Sequence, residues 1–174
     1  TAVEMEMHSL WEDRSAPNVI GVTPGSDPAL ASEHILLGAH LDNVGVGGFV
    51  YNGADDDASG VATVLELARL LHVSGFKQSR TLVLCAWMGE EMGLVGSRWY
   101  TDHPLFPLER TAICLNMDMV GAGDTDLWVG GLDEFGEQVG RVRNRLGPIV
   151  EIGRASRREG AGTSEVAVAL KRRP

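Results

Sequence analysis

Three short, unbroken apolar runs constrain this chain more than anything else in it. They are Ile35–Ala39, Thr81–Trp87 and Thr111–Leu115. Runs of this length, apolar at consecutive positions (after an opening threonine in the second and third) rather than at alternate ones, suit strands buried on both faces. Between the first two lies Val61–His72, where Val61, Val64, Leu65, Ala68 and Leu71 recur at helical spacing and Gly75 offers a stop. Residues 92–102 read as a second helix ending near Pro104, Leu127–Val129 as a short strand and Glu134–Leu146 as a further helix. Residues 3–11 and 18–23 are partly alternating and read as a hairpin or two edge strands. Strands alternating with helices predict an α/β fold, a three-layer α/β/α sandwich around a mixed, mainly parallel central sheet.

Each buried run ends in chemistry. The first runs into His40-Leu-Asp42, the second into Gly89-Glu-Glu91 and the third into Asn116-Met-Asp118, while Asp56 stands where a Gly-rich loop enters the first helix. Sites in open α/β sheets gather outside the carboxyl ends of strands. One pocket can therefore collect a histidine and several carboxylates from distant parts of the chain.

Carboxylates crowded into a partly dry cleft repel one another and take up protons unless a cation compensates them. Imidazole nitrogen with carboxylate oxygen suits zinc, and manganese or cobalt also fit. Asp56 is well placed to bridge two metals. Of the adjacent residues Glu90 and Glu91, one can be a ligand and the other the base that takes a proton from water. Asp42, two residues past His40, is placed to hold the other imidazole nitrogen. Asp57 reads as a helix cap rather than a ligand, and Asp55 is open between the two roles. His34, His72 and His103 read as packing or surface residues, and Trp87 is close enough in sequence to wall the pocket.

The motifs Gly38-Ala-His-Leu-Asp42, Asn52-Gly-Ala-Asp-Asp-Asp-Ala-Ser-Gly60, Gly89-Glu-Glu-Met-Gly-Leu-Val-Gly-Ser97 and Asn116-Met-Asp-Met-Val-Gly121 resemble those of the M28 family of zinc aminopeptidases and carboxypeptidases. They stand in family order, and the likeness runs from about Asn18 to Gly130. The resemblance implies two zinc ions, with His40 and Asp118 on one, Glu91 on the other and Asp56 bridging. It implies Glu90 as general base, Asp42 as the partner of His40, a cis peptide after Asp56, and peptide or protein N-termini as substrate. An exported protein is the expectation from such relatives. Two other readings belong beside this one: a glutaminyl cyclase-like enzyme with a single zinc, and a catalytically silent peptidase-like domain used for protein contacts.

The family supplies a further histidine near its C-terminus, whereas no histidine follows His103 here, so the second zinc lacks its nitrogen ligand. Residues 151–174 hold six basic side chains against three acidic ones and do not resemble the family. The expected organisation is a peptidase-like domain over 1–150, incomplete through truncation or a shifted reading frame, and an atypical basic tail over 151–174.

The net charge of −9 argues against nucleic acid as a partner, since phosphate binding needs clustered Lys and Arg. No apolar run approaches the ~18 residues that span a bilayer, and no leader-like segment is visible. Cys85 and Cys114 sit in strand-like runs and read as buried free thiols.

Overall fold

The computed structural model describes residues 3–8, 10, 12–46 and 48–121, and the strands Leu127–Gly130 and Ser164–Ala169. The three buried runs form β2 (His34–His40), β3 (Thr81–Trp87) and β4 (Thr111–Asp118), which pair in parallel with β2 in the middle. An edge strand, β1 (Val19–Thr23), runs antiparallel to β3. On the far side, β6 (Ser164–Ala169) runs antiparallel to β4 and parallel to β5 (Leu127–Gly130), giving the order β1-β3-β2-β4-β6-β5.

Side chains along the parallel strands alternate between two cores, and this alternation builds the layers. Ile35, Leu37 and Ala39 of β2, Leu84 of β3 and Leu115 and Met117 of β4 face α1 (Ala58–Ser74), meeting its Val61, Val64 and Leu67. Leu36, Val83, Cys85 and Trp87 point the other way and pack with Tyr100 of α2 (Val95–Asp102). The result is the expected three-layer α/β/α arrangement around a mixed, mainly parallel sheet.

Local signals explain the helix ends. Asp57 caps α1 by accepting the Gly60 N–H, and Gly75, at φ 65°, closes it in the left-handed conformation. The second helix begins three residues later than its sequence suggests. Gly89, Gly93 and Leu94 all have positive φ, and a tight turn folds the Gly93 and Leu94 N–H groups onto the Glu90 carbonyl before α2 can start.

Two expectations change. Residues 3–8 carry no strand, so Val19–Thr23 is an edge strand without a hairpin partner among the described residues. Val3, Met5, Met7 and Leu10 are nearly fully exposed, so the alternation there has no core to face. The segment 164–169, within the stretch read as an atypical tail, is a strand of the sheet. The helix expected over 134–146 lies outside the described residues. No helix among those described is long and apolar enough to cross a membrane.

Cys85 and Cys114 are free thiols, and burial pushes them up to about 12 and about 11, which leaves them protonated and unreactive at neutral pH.

Candidate metal centre

The parallel register sets His40, Trp87 and the end of β4 side by side at one pole of the sheet. His40 is the last residue of β2 and is 1% exposed. Its Nδ1 lies 2.9 Å from the main-chain carbonyl of Asp42. A carbonyl only accepts, so Nδ1 carries the proton and Nε2 is left as the lone-pair donor. That Nε2 lies 2.9 Å from Asp56 Oδ1 and 3.7 Å from Asp118 Oδ1. One ligand atom from each of His40, Asp56 and Asp118 falls within 4.8 Å of the others, and among the described residues no other group of three such side chains does so.

Asp42 holds the other imidazole nitrogen, but with its main chain rather than its carboxylate. Its carboxylate is 3.9 Å from the imidazole, and its main chain makes the histidine contact instead. The carboxylate oxygens accept the N–H groups of Glu90 at 3.0 Å and Glu91 at 3.3 Å. One residue thus orients the imidazole with its backbone and the acidic pair with its side chain. Spacing alone shows that Asp42 is near His40, not which of its atoms does the holding.

The peptide bond between Asp56 and Asp57 is cis, as the resemblance implies. The loop around it is braced by residues the sequence did not single out. Asn43 donates to the Asp56 carbonyl, and Ser59 Oγ donates to the Asp55 carbonyl while accepting the Val120 N–H. Asp55 itself accepts the Gly121 N–H at 2.9 Å, which gives it a bracing role. The signal for these was the Ser/Asn chemistry around a Gly-rich turn.

Glu90 and Glu91 reach the same pole from the turn after β3. Burial raises both carboxyls. Glu90 is then pulled down by His40 and pushed up by Asp118, Glu91 and Asp42, whereas the strongest charge acting on Glu91 is that of Asp56. Both carboxyls thus feel His40, Asp42 and Asp118, and Glu91 feels Asp56 as well. Glu91 Oε1 is buried with no hydrogen-bond partner. A buried oxygen without a donor is costly, and a cation satisfies it. The donor set therefore fits a hard or borderline divalent metal.

The other histidines do not join the site. His34 is buried at the opposite pole, stacked on Phe106 at 4.3 Å, and His103 stacks on Trp99 at 3.9 Å. Trp87 does not wall the pocket. It packs in the core against Tyr100, with its Nε1 crowding Gly38 so closely that a Cβ there would lie 2.5 Å away.

The metal-free site is over-supplied with negative charge, and every resolved shift within it goes the same way. Burial takes Asp57 up to about 6, and Glu90 and Glu91 are raised. Burial alone would lower His40, but Asp118, Asp57, the Asp42 carbonyl and Glu90 outweigh it, so that its net shift is upward. Each group binds its proton more tightly folded than unfolded. Its contribution to stability is complete below the unfolded pKa and is lost as pH rises through the folded one. The melting temperature in chelator is therefore expected to fall between about pH 4 and pH 7, with Asp57 contributing up to about 6. A divalent cation replaces those protons, so added zinc should flatten or reverse the slope. Melts across that range, with zinc and with chelator, check both signs.

Comparison with known proteins bears on what such a site does. Residues 18–156 match the family model for Peptidase family M28. Leucine aminopeptidase 2 of Trichophyton equinum is 35% identical over 121 residues, which are 69% of this chain and 23% of that protein. The chain thus spans about a quarter of the length of that relative. Among solved structures, the Peptidase M28 precursor from Shewanella amazonensis superposes with a TM-score of 0.59 at 28% identity, covering 86% of this chain and 35% of that one. A leucine aminopeptidase precursor from Bacteroides thetaiotaomicron has a TM-score of 0.61 at 21% identity over 80% of this chain and 57% of its own, a likeness of fold alone.

Proposed function

Because this chain belongs to Peptidase family M28, we propose that its strand-end pole is the hydrolytic centre of a zinc-dependent exopeptidase, an aminopeptidase acting on peptide N-termini. The observation that carries the reading is the meeting of His40 Nε2, Asp56 and Asp118 within ligand distance of one another. The unpartnered Glu91 oxygen beside them supports it.

His40, Asp56 and Asp118 would hold one zinc ion, and Glu91 with a shared Asp56 would contribute to a second. The ions, when bound, supply Lewis acidity that polarises the scissile carbonyl and makes water a competent nucleophile at neutral pH. Glu90, raised by burial and by its acidic neighbours, takes the proton from the attacking water and returns it to the departing amine nitrogen. Asp42 keeps Glu90 and Glu91 at their posts through their N–H groups and fixes the His40 tautomer. The free amine of the substrate is a cation and suits a pole lined with carboxylates.

The test is hydrolysis of a panel of aminoacyl 4-nitroanilides with zinc. It would be run on this chain and on the chain joined to the C-terminal segment of a family relative. Chelator-sensitive release of nitroaniline that disappears on N-acetylation of the substrate is the expected result. A protein of verified zinc content that cleaves nothing on the panel would overturn the enzyme reading.

A further inference from the structure

We infer that Asp57 is a positioning residue, whose single buried carboxylate draws the three ligand-bearing segments of the site together and so sets its affinity for metal. The inference rests on the metal-centre reading above.

Asp57 is 2% exposed and contributes no ligand atom to the His40, Asp56 and Asp118 group. A carboxylate so deeply buried needs several donors to be tolerated. It has three, and each comes from a different part of the fold. Oδ2 accepts the N–H of His40, at the end of β2, at 2.9 Å. Oδ1 accepts the N–H of Gly60, in the first turn of α1, at 3.1 Å, and that of Met119, just past β4, at 3.2 Å.

Every candidate ligand of the first metal is tied to this carboxylate through its own backbone or that of its neighbour. His40 is held by its own amide, Asp118 by the amide that follows it, and Asp56 by direct linkage to Asp57. Only the α1 contact is explained by ordinary helix capping. The other two reach residues 17 and 62 positions away.

The surroundings are shaped to allow it. A Cβ at Gly60 would lie 2.5 Å from Asp57 Oδ1 and 2.6 Å from the Met117 carbonyl, so only glycine lets the three elements close. Met119 adopts φ 49°, in the left-handed region that non-glycine residues rarely occupy, and in that conformation its N–H reaches the carboxylate.

Asparagine at this position keeps the shape but offers one acceptor oxygen, and its NH2 faces at least one of the backbone donors. Asp57→Asn is expected to raise the dissociation constant for Zn2+ by roughly 10- to 100-fold, the range seen when outer partners of metal ligands are lost. Competition with a chromophoric chelator reads this directly. Thr81→Val, at the opposite pole, removes the buried hydroxyl that bonds the Ala31 carbonyl and the Gly25 N–H. It reports how much affinity falls from lost stability alone, and its Zn2+ affinity should stay within a few-fold of the parent.

A second measurement needs no variant. Hydrogen exchange on the unmodified chain should show the amides of His40, Gly60 and Met119 slowing together on addition of Zn2+, more than those at the middle of the β2–β3 ladder. Equal affinity of Asp57→Asn and parent, or independent responses of the three amides, overturns the inference and leaves the metal centre standing. Absence of Zn2+ binding by the parent overturns the metal reading instead. The clasp is then judged by Asp57→Asn alone: concerted loss of protection at the three amides sustains it, and scattered loss refutes it.

Discussion

Replacing Glu90 by glutamine is expected to lower the turnover of an aminoacyl anilide roughly 100- to 10,000-fold, the usual contribution of a positioned general base, while zinc content stays unchanged. Glutamine keeps the volume of the side chain and the backbone N–H that bonds to Asp42 Oδ1. It loses only the capacity to take a proton. Glu91→Gln should do the reverse, lowering metal affinity first and activity in consequence. The paired experiment matters because the two residues are neighbours held by one carboxylate. The resemblance to the family names Glu90 as base and Glu91 as ligand, and the buried, unpartnered Glu91 Oε1 supports the second role. Should Glu90→Gln lose metal while Glu91→Gln keeps it, base and ligand must be exchanged. Metal analysis beside steady-state kinetics on whichever form of the chain is active settles the assignment.

The strands that carry the site were legible because parallel burial demands unbroken apolar runs. Ile35–Ala39 and Thr81–Trp87 could hardly be anything else, and β3 has the bounds its sequence suggests. That the chemistry lies at strand ends followed from the same runs, since each stops at its polar residue. What was not legible depends on atoms rather than on order. The division of labour within Asp42, carbonyl to imidazole two residues away and carboxylate to the acidic pair 48 residues on, follows from how two loops meet, and the second contact is non-local. Asp57 showed its capping role through the spacing to Gly60, but its bonds to His40 and Met119 need the sheet assembled first. Strand β6 was hidden for a related reason. Ser164–Ala169 is a short Ser-Glu-Val-Ala-Val-Ala stretch without a long apolar run, and its identity as a strand comes from pairing with Cys114–Asp118, far earlier in the chain. The delayed start of α2 was written in Gly89 and Gly93, whose positive φ makes a turn where the apolar spacing suggested helix.

His40→Ala is expected to remove nearly all stabilisation by zinc and, in addition, to weaken the metal-free protein. Zinc at 100 times its dissociation constant stabilises a fold by about 2.7 kcal/mol, and a 100-fold loss of affinity leaves about 0.4 kcal/mol of that. Losing the one nitrogen ligand that the described residues give the first site should cost at least this much, because outer partners alone cost 10- to 100-fold. The effect without metal has a separate origin. The imidazole lies against the carboxylates of Asp56 and Asp118 and is raised toward its charged form by Asp118 and Asp57, so it offsets part of their mutual repulsion. Its loss removes the basic group set among these carboxylates and opens a cavity at a fully buried position. Asp118→Asn separates the two contributions. It also strips a ligand and should weaken zinc binding, yet it takes away a negative charge that raises Asp57, Glu90 and Glu91. In chelator near pH 7.5 its melting temperature should therefore equal or exceed the parent's, while that of His40→Ala falls below it. Opposite shifts without metal, with loss of the zinc response in both, are the signature of a charge-crowded cation site. A fall in both variants by the same amount, with the zinc response intact, would show that the pole is held together by packing and that its carboxylates serve no metal.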